Sequence, residues 1–271
     1  MAQSQAKPVL DKLDPVWARI RREAEEIVRK EPELATFIYS TILHHDSLED
    51  AVVYRLAGRL DHGALSGELI RQAYADALQE VPAIGEIFRA DLMATVDRDP
   101  ATHRLIEPVL YYKGFQAVAA HRLMHWLWNQ GRRDFALYLQ SRVSAAFQCD
   151  IHPAAKIGRG IFLDHATGLV VGETAEIGDD VSMLHGVTLG GTGKESEDRH
   201  PKIRYGVMIG AGAKILGNIE VGHCARIAAG SVVIKPVPNN ATVAGVPAKV
   251  VGQAGCPDPA RTMDQMFPED I

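Results

Sequence analysis

Aliphatic residues recur at every sixth position through the second half of the chain. Neither a helix, with a period of 3.6 residues, nor a plain strand, with a period of 2, produces this spacing. It is typical of a parallel β-helix, in which each short strand turns one aliphatic side chain inward and three strands close a triangular coil. The thirteen positions on the period, twelve of them Ile, Leu or Val, are Ile151, Ile157, Leu163, Leu169, Ala175, Val181, Val187, Ile203, Ile209, Ile215, Val221, Ile227 and Val233.

Thirteen hexads predict about four coils and a remainder. Hexapeptide coils are known for left-handed crossovers, an exception to the right-handed rule for parallel strands. We therefore expect a left-handed solenoid, although the spacing alone does not give the hand.

The first half of the chain instead carries a helical period with capping signals. Asp14-Pro15 has the form of an N-cap followed by proline at the first helical position, and Ser47 is followed three residues later by an acid. The segment Arg98-Asp99-Pro100 breaks the pattern. Further helices are predicted after Pro32, Ser66 and Pro82, from about Lys113 to Trp128, and from Arg132 to Phe147.

These two patterns predict an α+β chain of two domains. We divide it into a disordered N-terminus at 1–13, an all-α helical assembly domain at 14–148, a left-handed β-helix domain at 149–252 and a flexible C-terminal tail at 253–271. A solenoid needs its open end covered, and the helical half could do that or assemble subunits.

Composition and charge argue against some classes of function. A net charge of −5 over 271 residues supplies no basic stripe for nucleic acid or anionic lipid. There is no charged-then-apolar leader and no apolar run of membrane length, so we expect a cytoplasmic protein. The three cysteines, Cys149, Cys224 and Cys256, are widely spaced and odd in number, which fits a reduced compartment without disulfides or a zinc cluster. We interpret Cys149 as a small buried thiol.

A charged segment, GGTGKESEDRHPK at 190–202, interrupts the hexads. Between the hexad positions Val187 and Ile203, this segment adds ten residues to the regular step of six. The six-residue spacing continues on both sides, so we expect the segment to form a loop that protrudes from the coil. Loops on rigid scaffolds carry function disproportionately, and Arg199 and His200 stand at its return end. The GGTGK run is not a phosphate loop, because that motif requires glycine where Thr188 stands and serine or threonine where Glu195 stands.

Two acids and two histidines gather around the first coil, in DIHP and in LDHATG. Asp150 and His165 are fifteen residues apart, against eighteen for a full coil, which places them in successive layers near one corner. A histidine held by a carboxylate is the minimal device for general-base activation of a hydroxyl, because histidine titrates near neutrality and the acid fixes its tautomer.

A metal site is the competing interpretation of these histidines. It would need histidines stacked at coil spacing or converging from neighbouring subunits. Met183 lies eighteen residues after His165 and Val170 eighteen after His152, while His185 and His223 have no obvious column partners. We therefore predict no metal, with a site shared between subunits left open.

The motifs DIHPAAKIGRG, LDHATG, VVGETA, VTLGGTGK, DRHPKI, IGAGAKILGN and AGVPAK, behind a helical half, resemble the serine O-acetyltransferase family of hexapeptide acyltransferases. The resemblance runs from about Asp14 to Gly252. It implies transfer of an acetyl group from acetyl-CoA to the hydroxyl of L-serine, the first step of cysteine biosynthesis. The hydroxyl attacks the thioester directly, and acetyl-CoA is a co-substrate rather than a tightly bound cofactor.

The same resemblance assigns roles to matching positions. It makes His165 the general base and Asp150 the carboxylate that orients it. Arg199 can fork onto an α-carboxylate, and carboxylates suit an ammonium group. The implied amino-acid site is Asp99, Asp164, Arg199 and His200, and the implied acetyl-CoA site is Gly191, Ala211, Ala229 and Lys249. Glu173 matches a family motif whose role the sequence does not give.

The resemblance also implies partners. It implies a homotrimer, paired through the helical halves into a dimer of trimers, feedback inhibition by L-cysteine at the serine site, and a complex with O-acetylserine sulfhydrylase through the terminal Ile271. Three alternatives remain: an O-acetyltransferase for another small hydroxylated acceptor such as homoserine, a metal-dependent solenoid resembling a carbonic anhydrase, and a non-catalytic scaffold.

Overall fold

The computed structural model describes residues 14–193, 196–255 and 257–264, so the predicted disordered N-terminus at 1–13 lies outside it. Chain geometry changes from helix to strand between Phe147 and Cys149. A 3₁₀ turn at Pro32–Leu34 and a π turn at Tyr39–Leu43 flank the second helix. The helices before the strands are α1 Pro15–Lys30, α2 Ala35–Ile38, α3 Leu48–Leu60, α4 Gly67–Glu80, α5 Ala83–Arg98, α6 Ile106–Leu110, α7 Lys113–Asn129 and α8 Arg133–Phe147.

The capping signals place the helix starts correctly. The Asp14 carboxylate accepts the N–H of Trp17 at 3.0 Å, and the Ser47 hydroxyl accepts the N–H of Asp50 at 3.1 Å. These side chains satisfy backbone donors that a helix N-terminus leaves without an internal partner. Helix α4 begins after Ser66 as predicted. The five-residue α6 was not predicted, since it is short and contains a proline.

The described strands after Phe147 wind into a parallel solenoid of about five turns and form three sheets. Sheet I contains β1 Cys149–Ile151, β4 Leu169–Val171, β7 Thr188–Gly190, β10 Lys214–Leu216 and β13 Val232–Val233. Sheet II contains β2 Lys156–Ile157, β5 Glu176–Ile177, β8 Lys202–Ile203 and β11 Glu220–Val221. Sheet III contains β3 Phe162–Leu163, β6 Ser182–Met183, β9 Met208–Ile209, β12 Arg226–Ile227, β14 Ala241–Gly245 and the antiparallel β15 Ala248–Gln253.

Two corners of this triangular prism carry most of the predicted site residues. The I–II corner joins sheet I to sheet II, and the III–I corner joins sheet III to the next strand of sheet I. The I–II corner contains residues 152–155, 172–175, 191–193, 196–201 and 217–219, and the III–I corner contains residues 164–168, 184–187, 210–213 and 228–231.

The strand register corrects the predicted phase of the hexads in the middle of the solenoid. Ile151 pairs with Val171 and Leu163 with Met183, a step of 20 residues, whereas Val171 pairs with Leu189 at the regular step of 18. Two residues are therefore inserted at the III–I corner, between β3 and β4. The residues that pair with the predicted inward positions Ile151, Ile157 and Leu163 are Val171, Ile177 and Met183, and Leu189 pairs with Val171. The predicted Leu169, Ala175, Val181 and Val187 each lie two positions earlier.

The insertion also shortens the predicted loop. Ile177 pairs with Ile203 across 26 residues, which is eight more than the regular step and not ten. The six-residue period does not reveal the insertion because Leu169 and Ala175, two positions before Val171 and Ile177, are apolar and buried as well. Two buried positions thus fit the period, and the sequence alone does not say which of them is in phase with the first coil.

One continuous hydrophobic core runs through both halves of the chain, and a buried ion pair of the helical half makes hydrogen bonds across the boundary between them. Arg122 of α7 binds the Asp91 carboxylate of α5 at 2.9 Å and donates to the carbonyls of Ile157 and Gly158 at 2.6 and 2.7 Å. The other oxygen of Asp91 accepts the N–H of Ile161 at 2.9 Å. The first coil is therefore attached to the helical half through backbone groups of the corner between sheets II and III.

Part of the predicted flexible tail, 253–271, packs against the solenoid. Residues 257–264 carry a short helix, α9 Pro259–Thr262. The Ser182 hydroxyl donates to the carbonyl of Ala260 at 2.7 Å, and Arg226 donates to the carbonyl of Asp264 at 3.1 Å. These contacts hold the segment against sheet III. Residues 265–271 lie outside the described chain. Among the helices of the described ranges, none has both the length and the apolar composition to span a bilayer.

Candidate active site

The two inserted residues of the III–I corner give His165 an unusual backbone. His165 and Ala166 have φ of 54° and 57°, a region that residues other than glycine rarely occupy. The turn is tight, with the N–H of Ala166 2.5 Å from the carbonyl of Asp164 and the N–H of Thr167 2.7 Å from the carbonyl of His165. Such backbone conformations cluster at functional sites. The side chain of His165 is 73 % exposed.

A groove of about 1060 Å³ opens beside this corner, and Asp99, Asp164 and His165 line it together. Asp99 follows the last residue of α5, and its carboxylate accepts the N–H of Ala101 at 2.9 Å and the hydroxyl of Thr102 at 2.6 Å. An Asp164 oxygen lies 3.7 Å from Nε2 of His165. Burial raises the pKa of the Asp164 carboxyl, against the lowering effect of His165.

A buried arginine fixes the end of α5 that presents Asp99. Arg98 donates to the carbonyl of Gly160 at 3.0 Å, to the Ser182 hydroxyl at 3.1 Å and to the Asp180 carboxylate at 2.8 Å. Because all three acceptors belong to the first two coils, the helical residue Asp99 is held in register with the solenoid residues Asp164 and His165.

A ladder of backbone hydrogen bonds continues the III–I corner along the solenoid axis. The N–H of Gly186 donates to Thr167, that of Gly212 to His185 and that of Gly230 to Ala211, each at 2.8 Å. The predicted acetyl-CoA residues Ala211 and Ala229 therefore lie at the same corner as His165. Lys249, exposed on β15, pairs with Ala244 of β14 at the far end of the solenoid.

His185 was missed as the neighbour of His165. Its ring centroid lies 5.9 Å from that of His165, because the step between the first two coils is 20 residues and not the 18 that led to Met183. The left-handed positions of the tight turn at the III–I corner are His165 and Ala166, so no glycine marks them in the sequence. The groove is also lined by Tyr112 and Lys113 and by tail residues 261–263, which the sequence did not assign to a site.

The second group of predicted residues lies at the I–II corner. There the Arg199 guanidinium binds the Glu173 carboxylate at 2.7 Å, and the His200 ring packs over Gly172. Burial and the neighbouring Arg199 lower the pKa of His200, while the hydrogen bond from Arg199 lowers the pKa of Glu173. Gly191 belongs to the loop at this corner, with the Arg199 side chain beside it. Within one chain, Arg199 and His200 are thus at a different corner from Asp99, Asp164 and His165.

The predicted contact between Asp150 and His165 is not formed within one chain. The Asp150 carboxylate accepts instead from Nε2 of Gln140 at 2.7 Å, and in the described residues no hydrogen bond or ion pair joins it to His165. The two backbones are nevertheless adjacent, since Sγ of Cys149 lies 3.4 Å from the carbonyl of Ala166. Cys149 is a buried thiol, as expected, and burial raises its pKa to about 12.

In the described ranges, no group of three or more His, Cys, Asp or Glu side chains is arranged to hold a metal ion. The corner holding His165 therefore offers an imidazole with carboxylates near it, in a groove open to solvent. Such a set can accept a proton from a hydroxyl and bind a cation beside it.

Comparison with known proteins identifies the relatives of this site and fold. A family profile described as "Serine acetyltransferase, N-terminal" matches residues 16–120. A serine acetyltransferase of Salmonella typhimurium is 55% identical over 257 residues, 95% of this chain and 94% of that protein. A solved serine acetyltransferase of Brucella abortus in complex with coenzyme A is 61% identical, with a TM-score of 0.89, covering 91% of this chain and 99% of that one. A solved serine acetyltransferase in complex with cysteine is 55% identical, with a TM-score of 0.92, covering 94% and 99%.

Fold and relatives together define a hexapeptide-repeat acyltransferase with a helical half in front of its solenoid. Structures of this kind are left-handed β-helices, which confirms the predicted hand. The chain belongs to the serine acetyltransferase family.

Proposed function

We propose that this chain transfers the acetyl group of acetyl-CoA to the hydroxyl of L-serine, giving O-acetylserine and CoA. The observation that carries the proposal is the convergence of Asp99, Asp164 and His165 on one groove in a chain whose relatives are serine acetyltransferases. The two carboxylates suit the ammonium group of an amino acid, and the imidazole suits its hydroxyl.

In the proposed reaction, His165 takes the proton from the serine hydroxyl as the oxygen attacks the thioester carbonyl. The C–S bond breaks when the tetrahedral intermediate collapses, and the His165 imidazolium returns its proton to the CoA thiolate, which leaves as the free thiol. Asp150 remains our candidate for the carboxylate behind the imidazole, because its backbone borders the corner of His165. Gln140 donates to Oδ1 of Asp150, and a carboxylate has a second oxygen that can accept from an imidazole, in the same chain or in a neighbouring copy.

The complete amino-acid site is proposed to form between two copies of the chain. Arg199 and His200 lie at the I–II corner and the other three residues at the III–I corner. Closed rotational assembly brings different surfaces of identical chains together. We therefore propose a homotrimer in which one copy supplies the carboxylates and the base, while its neighbour supplies Arg199 and His200 for the α-carboxylate. Pairing of two trimers through the helical halves completes the proposed assembly.

Acetyl-CoA is proposed to lie along the III–I corner, against Ala211 and Ala229, with Lys249 toward its phosphates. The small side chains leave room for an extended chain at this corner, and Ala229 and Lys249 are exposed there. Gly191 would contact it from the I–II corner of the neighbouring copy. A relative solved with coenzyme A supports this class of co-substrate.

Regulation and partners extend the proposal. A relative solved with cysteine supports L-cysteine as a feedback inhibitor that occupies the serine site. A complex with O-acetylserine sulfhydrylase through Ile271 remains a prediction, since that residue lies outside the described chain. We place the enzyme in the cytoplasm, in agreement with three widely spaced cysteines, an odd number, in the sequence.

The first test is chemical. Purified full-length protein is incubated with acetyl-CoA and a panel of L-serine, L-homoserine, L-threonine and D-serine, and free CoA thiol is measured. The proposal expects L-serine to give the highest kcat/KM. Preference for homoserine would reassign the acceptor, and no thiol release with any hydroxylated amino acid would favour a scaffold.

The second test addresses the shared site. His165→Ala and Arg199→Ala chains are co-expressed and compared with each variant alone. If the site lies between copies, random mixing restores an intact site at about a quarter of the interfaces. Activity no higher than the average of the two separate variants would place the whole site within one chain.

A further inference from the structure

The hydroxyl of Thr174 connects three groups at the return end of the loop. Its oxygen accepts the backbone N–H of Arg199 at 3.0 Å and of His200 at 3.1 Å. It also lies 2.9 Å from Nδ1 of His200. A threonine hydroxyl has two acceptor sites and one donor. Two N–H groups fill the acceptor sites, and its one proton has Nδ1 of His200 and the Asp198 carboxylate as acceptors.

The same contacts decide the tautomer of His200. The backbone N–H of Thr174 also lies within 3.2 Å of Nδ1, and a backbone N–H can only donate. Nδ1 is therefore the acceptor nitrogen, which leaves the proton of the neutral ring on Nε2. A neutral ring fits its surroundings, because His200 is 7% exposed and has Arg199 and Lys202 near it.

The two residues before Thr174 hold the rest of the pair. Glu173 fixes the guanidinium of Arg199 through Nη2 at 2.7 Å. Gly172 makes room for the imidazole, since a Cβ at this position would lie 2.0 Å from Nε2 of His200. Gly172, Glu173 and Thr174 are consecutive at the corner that follows β4, one coil below the loop return. The rigid coil thus holds both side chains of an otherwise long loop.

We infer that Gly172-Glu173-Thr174 is the positioning element of the carboxylate-binding half-site. The Thr174 hydroxyl fixes the backbone of Arg199 and His200, and the backbone N–H and hydroxyl of Thr174 together set the Nε2–H tautomer of His200. This inference rests on the proposed function and gives Glu173 the role that the sequence left open. Neither Glu173 nor Thr174 is a catalytic residue, since each acts through Arg199 or His200.

The test compares Thr174→Val with Thr174→Ser in the full-length protein. Valine keeps the shape and removes the hydroxyl, whereas serine keeps the hydroxyl. We expect Thr174→Val to raise KM for L-serine and the inhibition constant of L-cysteine by about tenfold each, as expected for loss of hydrogen bonds that orient a charged contact. KM for acetyl-CoA should stay within about twofold and kcat within about threefold. Thr174→Ser should restore serine and cysteine binding to within about threefold of wild type.

The matched control is Thr95→Val. Thr95 is a buried threonine whose hydroxyl donates to the carbonyl of Asp91 within α5, so the variant also loses one buried hydroxyl, and its serine and cysteine constants should be unchanged. If Thr174→Val does not fold, Glu173→Gln replaces it, with an expected rise of about three- to tenfold in the same two constants.

Two outcomes would overturn the inference. One is a Thr174→Val enzyme with wild-type constants for serine and cysteine. The other is an equal loss for acetyl-CoA, which would make the hydroxyl a general structural support. Either outcome, in a wild-type chain that acetylates serine, leaves the proposed function intact. A wild-type chain that does not acetylate serine would refute the proposed function instead.

Discussion

At the scale of single residues, His165 has the position that a general base needs. It stands in a left-handed turn at the edge of the groove, with an exposed ring. His165→Ala is expected to lower kcat by about 10²–10⁴, the range for lost general-base catalysis, while far-ultraviolet circular dichroism stays unchanged. His223→Ala, which removes another exposed histidine of the solenoid, is the control and should leave kcat unaltered. Turnover near wild type in His165→Ala would exclude the residue as the base.

The two carboxylates near His165 should differ in what they control. Asp164 lines the groove, so Asp164→Asn is expected to raise KM for serine at least about tenfold, as for loss of a charge-assisted bond. Asp150→Asn is expected to lower kcat instead, because its proposed role is to stabilise the imidazolium. Equal effects of both variants on KM would contradict this division.

The raised pKa of Asp164 adds a dependence on pH. Burial raises this pKa, so, as pH falls, Asp164 takes up a proton earlier than an ordinary aspartate and no longer offers a charge to the serine ammonium. KM for serine in the wild type should therefore rise on the acid side before an unperturbed carboxyl would titrate. In Asp164→Asn the charge is absent at every pH, and this rise should disappear.

Residue types and motifs were sufficient to nominate Asp99, Asp164 and His165, which the fold brings to one groove. They were not sufficient to show that Gln140 of α8 donates a hydrogen bond to the Asp150 carboxylate. That hydrogen bond depends on how α8 packs beside β1, which no local pattern specifies.

At the scale of elements, the six-residue period predicted the solenoid, and capping residues predicted most helix starts. The predicted register of the second coil was wrong by two residues. Leu169 and Val171 are both buried, on either side of an exposed residue in the same strand, so both fit an inward position. A one-dimensional period cannot detect a two-residue corner insertion that moves one apolar residue into the place of another.

Packing of α7 against the solenoid makes a prediction about two helical glycines. A Cβ on Gly114 would lie 2.1 Å from the carbonyl of Leu163, the residue before Asp164, whereas a Cβ on Gly58 of α3 meets nothing within 4 Å. Gly114→Ala should lower Tm and raise KM for serine, because α7 must move away from β3. Gly58→Ala should raise stability by about 0.5–1 kcal/mol through helix propensity. Thermal unfolding of both variants checks the opposite signs, and a stable, fully active Gly114→Ala would contradict the close approach.

At the scale of the whole molecule, the ion pair of Arg122 and Asp91 is a buried polar contact that attaches α5 and α7 to the first coil. Arg122→Leu leaves a buried carboxylate without its cation and is expected to cost about 3–5 kcal/mol. Adding Asp91→Asn removes that charge while keeping an acceptor for the N–H of Ile161, so the double variant should recover part of the loss. Denaturant unfolding of the single and double variants measures the recovery, and additive losses would show that the two side chains are not coupled.

The separation of the predicted amino-acid site between two corners could not be foreseen from spacing. Arg199 and His200 follow a long loop, and only the strand register shows at which edge of the prism that loop returns. The sequence names residues expected to bind the amino acid but does not say which of them would belong to one chain.

Placement of the two half-sites on different corners has a genetic consequence. Each chain would serve its own pocket with one edge and a neighbour's pocket with another. A copy that carries substitutions at both edges would therefore inactivate two pockets of a ring. When such an inactive allele is expressed beside a normal one, the fraction of activity lost should exceed the fraction of chains that are inactive.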